Sequence, residues 1–280
     1  MRIDAHVHGM HAEKGPDGRL VPPLMPAWRN TDMTPAEQVR RLNGMGVGRA
    51  LLLDPAEITF ELHRIFGDFV IPCPQVDLDN ASPGDISELL GKGAIGIKFI
   101  APMHPYGDDR YLPIYEAVRD HRALAVFHTG FLMHGFFDPG ELIPRNNWVN
   151  ISNMRPAELD RINRALPDLK ILMAHFGNPW WEEAWKMIAS NKNIYADLSG
   201  GTAYTKSMNM WKELFAPNGR LDVKVVSKLC YASDASLFSP GQFEFQELSE
   251  FYDRLYDTLK LTDELKTLID YGNIDMLVRK

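Results

Sequence analysis

The sequence predicts an α/β protein of the (β/α)8 TIM-barrel type, and three observations support this prediction. Short apolar runs rich in Val, Ile and Leu alternate with segments of helical periodicity along the chain. The runs are apolar on successive positions, which is typical of parallel strands that are covered on both faces. The length of 280 residues suits one large barrel domain, since such barrels commonly take about 250 residues.

Eight strands are predicted, each short and flanked by residues that favour turns. They are Arg2–Val7, Arg49–Leu53, Phe69–Val76, Ile95–Phe99, Leu124–His128, Lys170–His175, Asn193–Leu198 and Leu229–Ser233. Eight strands that alternate with helices favour a closed barrel. A doubly wound open sheet is the alternative, but the chain lacks the glycine-rich phosphate-binding turn that this fold often carries.

The helices between the strands have recognisable start signals. Thr34-Pro35-Ala36-Glu37 is a capping box, in which the Thr hydroxyl and the Glu carboxylate satisfy free backbone N–H groups at the helix start. Ser82-Pro83-Gly84-Asp85 repeats this arrangement between the third and the fourth predicted strands. From about residue 242 to 280 the pattern is again helical, with Phe245, Leu248, Tyr252 and Leu255 on one face. We therefore expect residues 1–280 to form a single domain, with these C-terminal helices on the outside of the barrel.

The composition narrows the class of function. The chain has 30 Lys+Arg and 37 Asp+Glu, a net charge of −7, which argues against a nucleic-acid partner because phosphates require a basic face. No apolar run approaches the ~18 residues that span a bilayer, and the N-terminus lacks a secretory apolar stretch, so we expect no membrane partner and a cytoplasmic location. Cys73 and Cys230 lie in apolar runs and are expected to be small buried residues.

Two long segments lack periodicity. Residues 9–32 contain several prolines, and residues 129–153 are rich in Phe, Pro, Asn and Gly. Unpatterned connections of this length in a compact domain are typical of lids or binding loops. We expect them to determine substrate specificity.

Polar residues with metal or proton chemistry stand at the carboxyl ends of the predicted strands, where barrel active sites lie. They are His6, His8, Lys98, His128, His175 and Asp234. In the His6-Val7-His8 spacing, the two imidazoles lie on one strand face about 6.5–7 Å apart along the strand axis. His128 and Asp234 complete a mixed nitrogen and oxygen ligand set, which suits Zn²⁺ and is also accepted by Mn²⁺, Fe²⁺, Ni²⁺ and Co²⁺.

Six segments also resemble a known family. They are Asp4-Ala5-His6-Val7-His8-Gly9, Phe127-His128-Thr129-Gly130, Ala174-His175-Phe176-Gly177, Tyr195-Ala196-Asp197-Leu198-Ser199, Ala232-Ser233-Asp234 and Tyr271-Gly272-Asn273. These segments resemble signatures of the amidohydrolase superfamily, and most of all its amidohydrolase-related branch, which includes aminocarboxymuconate semialdehyde decarboxylase. The resemblance implies a metal-dependent barrel enzyme that acts on a small, often anionic molecule, and it allows a homodimer.

The resemblance also implies roles for single residues. His6, His8, His128 and Asp234 correspond to metal ligands, for one or two divalent ions, most simply Zn²⁺. Asp234 would also accept the proton of the reacting water, and His175 would contact the water or substrate, or bind a second ion. Lys98 would contact a substrate anion or, as in two-metal relatives, be carboxylated and bridge the ions.

Three functions follow from this interpretation. The first is a metal-dependent hydrolase that opens an amide, lactone or ester bond with a metal-activated water. The second is a metal-dependent decarboxylase or other lyase of an aromatic or muconate-type acid. The third is a barrel without catalytic activity, against which the complete ligand set argues.

Several other residues are weaker candidates. Asp4 faces the same side of its strand as His6 and is a candidate to support that ligand. Trp180 and Trp181 can line a pocket or pack between barrel and helix. Candidates from the loops for contact with a substrate are His11, His134, Arg145, Asn146, Asn147 and Arg155.

Overall fold

The computed structural model describes residues 1–14, 20–26, 33–132, 149–204, 206–237 and 243–279. The strands are β1 (Arg2–His8), β2 (Met10–Lys14), β3 (Leu20–Pro26), β4 (Val47–Leu52), β5 (Val70–Pro72), β6 (Gln75–Val76), β7 (Gly96–Phe99), β8 (Leu124–His128), β9 (Lys170–Ala174), β10 (Ile194–Asp197), β11 (Leu229–Cys230) and β12 (Ala235–Ser236).

Helices separate the strands of the barrel. They are α1 (Pro35–Gly44), α2 (Ala56–Phe66), α3 (Pro83–Gly91), α4 (Leu112–Asp120), α5 (Glu158–Ala165), α6 (Trp181–Ser190), α7 (Gly201–Tyr204), α8 (Met208–Phe215), α9 (Val223–Val226), α10 (Phe243–Leu259), α11 (Asp263–Thr267) and α12 (Asn273–Val278). A π-helical turn, Leu268–Gly272, joins α11 to α12. Both predicted capping boxes are present, at Thr34 with Glu37 and at Ser82 with Asp85.

The strands form a closed parallel barrel. One sheet has the order β12-β1-β4-β5 and the other the order β11-β10-β9-β8-β7-β6. Between them, β5 and β6 act as one interrupted strand, since Pro72 O accepts Ile95 N–H at 2.8 Å and Leu52 O accepts Cys73 N–H at 3.1 Å. The barrel closes where Ala5 N–H donates to Tyr231 O at 2.9 Å and β1 pairs with β12. The prediction of a (β/α)8 barrel is confirmed, with small differences at the strand ends.

Residues 9–32 differ from the prediction of an unpatterned connection. The chain forms a two-stranded antiparallel hairpin there, in which Met10 is paired with Pro26 and Lys14 with Leu20. A strand of a two-stranded ribbon needs hydrogen bonds on one edge only, so prolines are tolerated and do not exclude β structure. Residues 133–148, most of the second such segment, lie outside the described residues.

The apolar core contains side chains from strands and helices. Val126, Leu172 and Ile71 lie in a buried cluster that also includes Ile274 and Leu277 of α12. The residues predicted to form one face of α10 are all buried, and Phe251 of the same helix contacts Trp211 of α8, with ring centroids 6.2 Å apart. Cys73 and Cys230 are buried and unpaired, as expected. The placement of residues 1–280 in one domain stays a prediction.

Candidate active site

The carboxyl ends of the barrel strands bring polar side chains from seven strands to one rim. They are His6 and His8 on β1, Asp54 after β4, Lys98 on β7, His128 at the end of β8, His175 after β9, Asp197 at the end of β10 and Asp234 after β11. This convergence follows from topology, because all strands of a parallel barrel point their carboxyl ends in the same direction.

His6, His8 and Asp234 meet at one point. Oδ1 of Asp234 lies 3.2 Å from Nε2 of His6 and 3.2 Å from Nε2 of His8. One ligand atom from each of the three residues therefore lies within 4.8 Å of the others. His6 is 1% exposed, whereas the side chains of His8 and Asp234 are 32% and 29% exposed, so the point is open on one side.

The other nitrogen of His8 is held by Asp54. Oδ1 of this buried carboxylate lies 3.0 Å from Nδ1 of His8, and its Oδ2 accepts the N–H of Gly9. Burial lowers the pKa of His8, but the hydrogen bonds to Asp234 and Asp54 outweigh burial and raise the pKa to about 10. An acceptor at Nδ1 directs the Nε2 atom to Asp234.

The other nitrogen of His6 lies against Asp197 and Ser199. Its Nδ1 is 3.2 Å from Oγ of Ser199 and 3.4 Å from Oδ2 of Asp197, and both residues are fully buried. Burial, followed by the neighbouring Lys98 charge, holds the pKa of His6 well below its usual range. The ring is therefore a neutral imidazole, the form that can donate a lone pair to a cation.

His175 follows β9 in a left-handed backbone turn. His175 has φ 64° and Phe176 has φ 45°, conformations that few non-glycine residues adopt and that concentrate at functional sites. The His175 N–H donates to Oδ1 of Asp197 at 2.9 Å, and its Nδ1 lies 3.0 Å from Oγ of Ser199. The turn places the ring between His6 and His128, with centroid distances of 4.7 Å and 4.6 Å.

His128 is part of the same rim but stands apart from the three-residue meeting point. It is 8% exposed, and among the described residues its Nε2 has no hydrogen-bond partner. Burial, with the nearby His175 and Lys98, lowers its pKa well below the usual range. Its ring contacts that of His175, whereas the group of ligand atoms within 4.8 Å of one another contains His6, His8 and Asp234.

Asp234 also sits in a left-handed conformation, with φ 63°. Its N–H donates to the His6 carbonyl at 2.8 Å, which fixes the turn at the strand end. A Cβ on Gly200 would lie 2.4 Å from Oδ2 of Asp234, so only glycine leaves room for this carboxylate. Burial acts to raise the pKa of Asp234, but electrostatic interactions with the neighbouring His6 and His175 rings and a hydrogen bond to His8 hold it well below its usual range.

Lys98 projects from β7 into the same region. It is 1% exposed, and its Nζ has no hydrogen-bond partner among the described residues. Burial lowers the pKa of Lys98 to about 8, although the negative charges of Asp197 and Asp234 act to raise it. A buried ammonium group without a partner is costly and marks a candidate functional position.

The donor set fits a divalent cation. Two imidazole nitrogens and a carboxylate oxygen converge, and the far nitrogens of both rings face acceptor groups, the usual outer arrangement of metal-binding histidines. His128 adds a buried ring nitrogen without a partner among the described atoms. A second group of ligand atoms, from His6, His175 and Asp197, also lies within 4.8 Å.

Comparisons with known proteins identify the family. A family model described as Amidohydrolase matches residues 3–279. This chain belongs to the amidohydrolase family. Its match is to the amidohydrolase-2 branch, whose members are enzymes and are typically metal-dependent, so the chain is an enzyme. No curated protein matched the sequence.

Solved structures show the same fold at low sequence identity. An uncharacterized TIM-barrel protein from Bordetella bronchiseptica is 15% identical, with a TM-score of 0.63 over 99% of this chain and 98% of that one. A 2,6-dihydroxybenzoate decarboxylase from Rhizobium is 12% identical, with a TM-score of 0.59 over 99% and 98%. A 5-carboxyvanillate decarboxylase from Sphingomonas paucimobilis is 15% identical, with a TM-score of 0.55 over 87% and 82%.

Three residues of this amidohydrolase site had no assigned role from the sequence. They are Asp54, Asp197 and Ser199, which contact the far nitrogens of the histidine rings. Asp54 and Asp197 satisfy the same strand-end rule that pointed to the histidines, and Asp197 and Ser199 lie in one of the family-like segments. The rule therefore could have found both carboxylates, whereas the contacts of Ser199 depend on the fold.

The weaker candidates have other contacts where the structure describes them. Arg155 pairs with Glu183 and stacks over Trp180 at 5.2 Å, so it is engaged within the protein. Trp181 packs on Trp211 with a centroid distance of 6.1 Å. Oδ1 of Asp4 accepts the backbone N–H groups of His6 and Ser233, at 3.1 Å and 3.0 Å. The side chains of His11, His134, Arg145, Asn146 and Asn147 lie outside the described residues.

Proposed function

We propose that this amidohydrolase is a metal-dependent hydrolase of a small, anionic amide, lactone or ester. The observation that carries the proposal is the convergence of His6 Nε2, His8 Nε2 and Asp234 Oδ1, with distances of 3.2 Å from each nitrogen to the oxygen. Two imidazole nitrogens and one carboxylate at one open point match the ligands of a catalytic metal ion. His128, whose Nε2 has no hydrogen-bond partner among the described residues, is the fourth proposed ligand.

A bound divalent ion, with Zn²⁺ as the simplest choice, would supply Lewis-acid activation of water or of a carbonyl group. His6, His8, His128 and Asp234 would hold it. The three histidine rings also lower the dielectric constant around this point, and a lower dielectric constant strengthens electrostatic interactions. One ion per chain is sufficient for this proposal.

Asp234 is the proposed proton acceptor. Its Oδ1 faces the two histidines, whereas its Oδ2 lies in the space that Gly200 leaves free. An ionised carboxylate at this position can accept a proton. The water O–H bond breaks, its proton moves to Asp234, and the water oxygen bonds to the carbonyl carbon of the substrate. The bond to the leaving group then breaks, and His175 delivers a proton to that group. The proton held by Asp234 then passes to His175, which restores both residues.

Lys98 is the proposed contact for the anionic part of the substrate. Its buried Nζ lacks a hydrogen-bond partner among the described residues, and a carboxylate of the substrate would supply one. The cost of burying this cation is then offset only when substrate is bound. This side chain alone therefore predicts a substrate that carries a negative charge.

A second candidate function is the decarboxylation of an aromatic or muconate-type acid. It is favoured by the similarity over nearly the full length to a 2,6-dihydroxybenzoate decarboxylase and by the further similarity to a 5-carboxyvanillate decarboxylase. In this reaction the C–C bond to the substrate carboxylate breaks, CO₂ leaves, and the electron pair stays on the carbon. That carbon then takes a proton, for which His175 is the proposed donor.

The two functions are separated by following the oxygen of water. The purified, zinc-loaded protein is incubated in ¹⁸O-water with a panel of amides, lactones and esters, and beside it with hydroxylated benzoates and muconate-type acids. We expect the wild-type protein to form a hydrolysis product that carries one ¹⁸O atom. We expect Asp234→Asn to form no such product. Release of CO₂ with an unlabelled organic product would replace the hydrolase proposal with the decarboxylase one.

A further inference from the structure

The turn that carries His175 has an unusual backbone. His175, Phe176 and Gly177 have φ values of 64°, 45° and 64°, so three consecutive residues lie in the left-handed region. Few residues other than glycine adopt this conformation, and a run of them persists only where the surrounding structure holds it. The contacts of this turn are therefore what keeps His175 in place.

Thr129, the residue that follows β8, spans the turn with its hydroxyl group. Its Oγ1 donates to the carbonyl of Ala174 at 2.6 Å and accepts the N–H of Gly177 at 3.0 Å. Both directions are fixed by chemistry, because a backbone carbonyl only accepts and a backbone N–H only donates. One hydroxyl group thus joins the residue before the left-handed run to the last residue of that run.

This hydroxyl group is shielded from solvent. Thr129 and Ala174 are each 0% exposed, and Gly177 is buried. A buried N–H that loses its acceptor keeps the cost of its desolvation. A side chain without the hydroxyl therefore removes this acceptor from Gly177 at a place where bulk water does not replace it.

Two further contacts hold the middle of the turn. The His175 N–H donates to Oδ1 of Asp197 at 2.9 Å, from the end of β10. The Phe176 ring is buried and lies 5.4 Å, between centroids, from the ring of Phe215 on α8. The backbone is thus held from both sides, and the contact of Thr129 acts on its two ends.

We propose that Thr129 is a positioning residue that holds the left-handed turn in the conformation that places His175 at the reacting group. The inference rests on the proposed function, in which His175 is the proton donor for either candidate reaction. Thr129 is fully buried and acts through the backbone of residues 174–177, not on the substrate. We therefore expect its hydroxyl to affect the proton-transfer step more than substrate binding.

Two substitutions separate the hydroxyl group from the shape of the side chain. Thr129→Val keeps the branched shape and removes the hydroxyl, whereas Thr129→Ser keeps the hydroxyl. On a substrate identified with the labelled-water panel, Thr129→Val should lower kcat by about 10- to 100-fold, the effect of a reacting group displaced by up to 1 Å. KM should stay within about 3-fold, since Lys98 and the proposed metal ligands are unchanged. Thr129→Ser should restore most of kcat.

A matched control shows what a purely structural hydroxyl does. Thr262→Val removes the hydroxyl that accepts the N–H of Leu265 at the start of α11, at 3.5 Å. It should lower the free energy of unfolding and leave kcat unchanged. Chelator competition is measured beside the kinetics, and Thr129→Val should bind Zn²⁺ as tightly as the wild type does.

Amide exchange of the zinc-loaded protein provides a readout that needs no substrate. The chain has two Phe-Gly pairs, Phe66-Gly67 and Phe176-Gly177, so ¹³C-carbonyl Phe with ¹⁵N-Gly selects two NMR signals, and Gly67→Ala identifies them. The Gly177 N–H should exchange slowly in the wild type and in Thr129→Ser. Relative to Gly67, we expect it to exchange about 10-fold faster in Thr129→Val, the effect of one lost hydrogen bond.

Each measurement can overturn the proposal. Rapid exchange of the Gly177 N–H in the wild type would do so whether or not any variant folds, and so would equal exchange in Thr129→Val and wild type. An unchanged kcat in Thr129→Val, or a loss of Zn²⁺ affinity that shows the hydroxyl to support the metal ligands instead, would also overturn it. If the panel yields no substrate, the proposed function has failed, and the exchange of Gly177 still decides whether Thr129 holds the turn.

Discussion

Both ends of the barrel bury charged side chains, but the two ends differ in how those side chains are paired. At the amino ends of the strands, the Arg2 guanidinium bonds to Asp270 at 3.0 Å, to Asp253 and to Ser249, and it stacks over Tyr231 at 4.7 Å. At the carboxyl ends, Lys98 Nζ, His128 Nε2 and Asp197 Oδ2 have no hydrogen-bond partner among the described residues.

This difference separates a structural cluster from a functional one. The Arg2 network connects β1 to α10 and to the π-helical turn, with Tyr256 adding a hydrogen bond to Asp270 at 2.6 Å. Its members are satisfied within the protein, as buried polar groups normally are. The atoms at the other rim are not, and atoms of this kind are the ones that a metal ion or a substrate can satisfy.

Removing the two proposed metal ligands of β1 together should have the largest effect on metal content and on activity. The double variant His6→Ala with His8→Ala is expected to lose its bound metal and to lower kcat/KM by ~10³-fold or more, since the ion supplies several kcal/mol of transition-state stabilisation. Elemental analysis and steady-state kinetics measure the two losses. His121→Ala, at an exposed histidine, is the control and should retain both. Full metal content in the double variant would show that the ligand assignment is wrong.

The partner of His8 should matter less than the ligand itself. Asp54→Asn leaves one acceptor oxygen for two donors, the His8 ring and Gly9 N–H, so one of them loses its bond. We expect Zn²⁺ affinity to fall by about 10- to 100-fold, measured by chelator competition. Asp257→Asn, on the exposed surface of α10, serves for comparison. An unchanged affinity would mean that Asp54 supports the loop rather than the ligand.

Arg2 should affect stability and not activity. Arg2→Met is expected to lower the free energy of unfolding by ~1–3 kcal/mol, because the partly buried Asp270 loses its cation. Urea denaturation followed by circular dichroism gives this value. At a temperature where the variant stays folded, kcat and metal content should match those of the wild type. A large change in kcat would contradict the separation between the two ends.

Two lysines allow the smallest effects to be compared directly. Lys98→Met is expected to raise KM for an anionic substrate by about 10-fold. The free energy of unfolding should stay unchanged or rise, since the variant removes a buried charge that has no hydrogen-bond partner in the described part of the chain. Lys170→Met, at the amino end of β9, removes a bond to the Leu277 carbonyl at 3.2 Å and should cost about 0.5–1.5 kcal/mol without changing KM. If Lys98→Met destabilises the protein and leaves KM unchanged, Lys98 is structural.

Much of the barrel could be predicted because its signals are local. The apolar runs and the capping boxes at Thr34 and Ser82 depend on neighbours along the chain, and the structure has strands and helix starts where they were expected. The hairpin of β2 and β3 was missed, because proline excludes a residue from a central strand but not from a two-stranded ribbon.

The candidate site was predictable in its members but not in its contacts. One rule, that the carboxyl ends of barrel strands share a rim, was enough to select His6, His8, Lys98, His128, His175 and Asp234. That rule does not specify how far each side chain reaches, so the place of His128 among the ligands stays a prediction. It also assigned no role to Ser199, whose hydroxyl touches two rings that lie 24 and 193 positions away in sequence.

The sequence by itself determined the barrel, its membership in a family of metal-dependent enzymes and the residue types available at the active rim. Periodicity and strand-end position are properties of short segments, so no tertiary information is needed to recognise them. Only the tertiary structure decided which atoms meet: Asp54 behind His8, Asp197 and Ser199 behind His6 and His175, and a glycine that leaves room for Asp234. Ring orientation depends on hydrogen-bond partners from other strands, and those partners become neighbours only when the barrel closes.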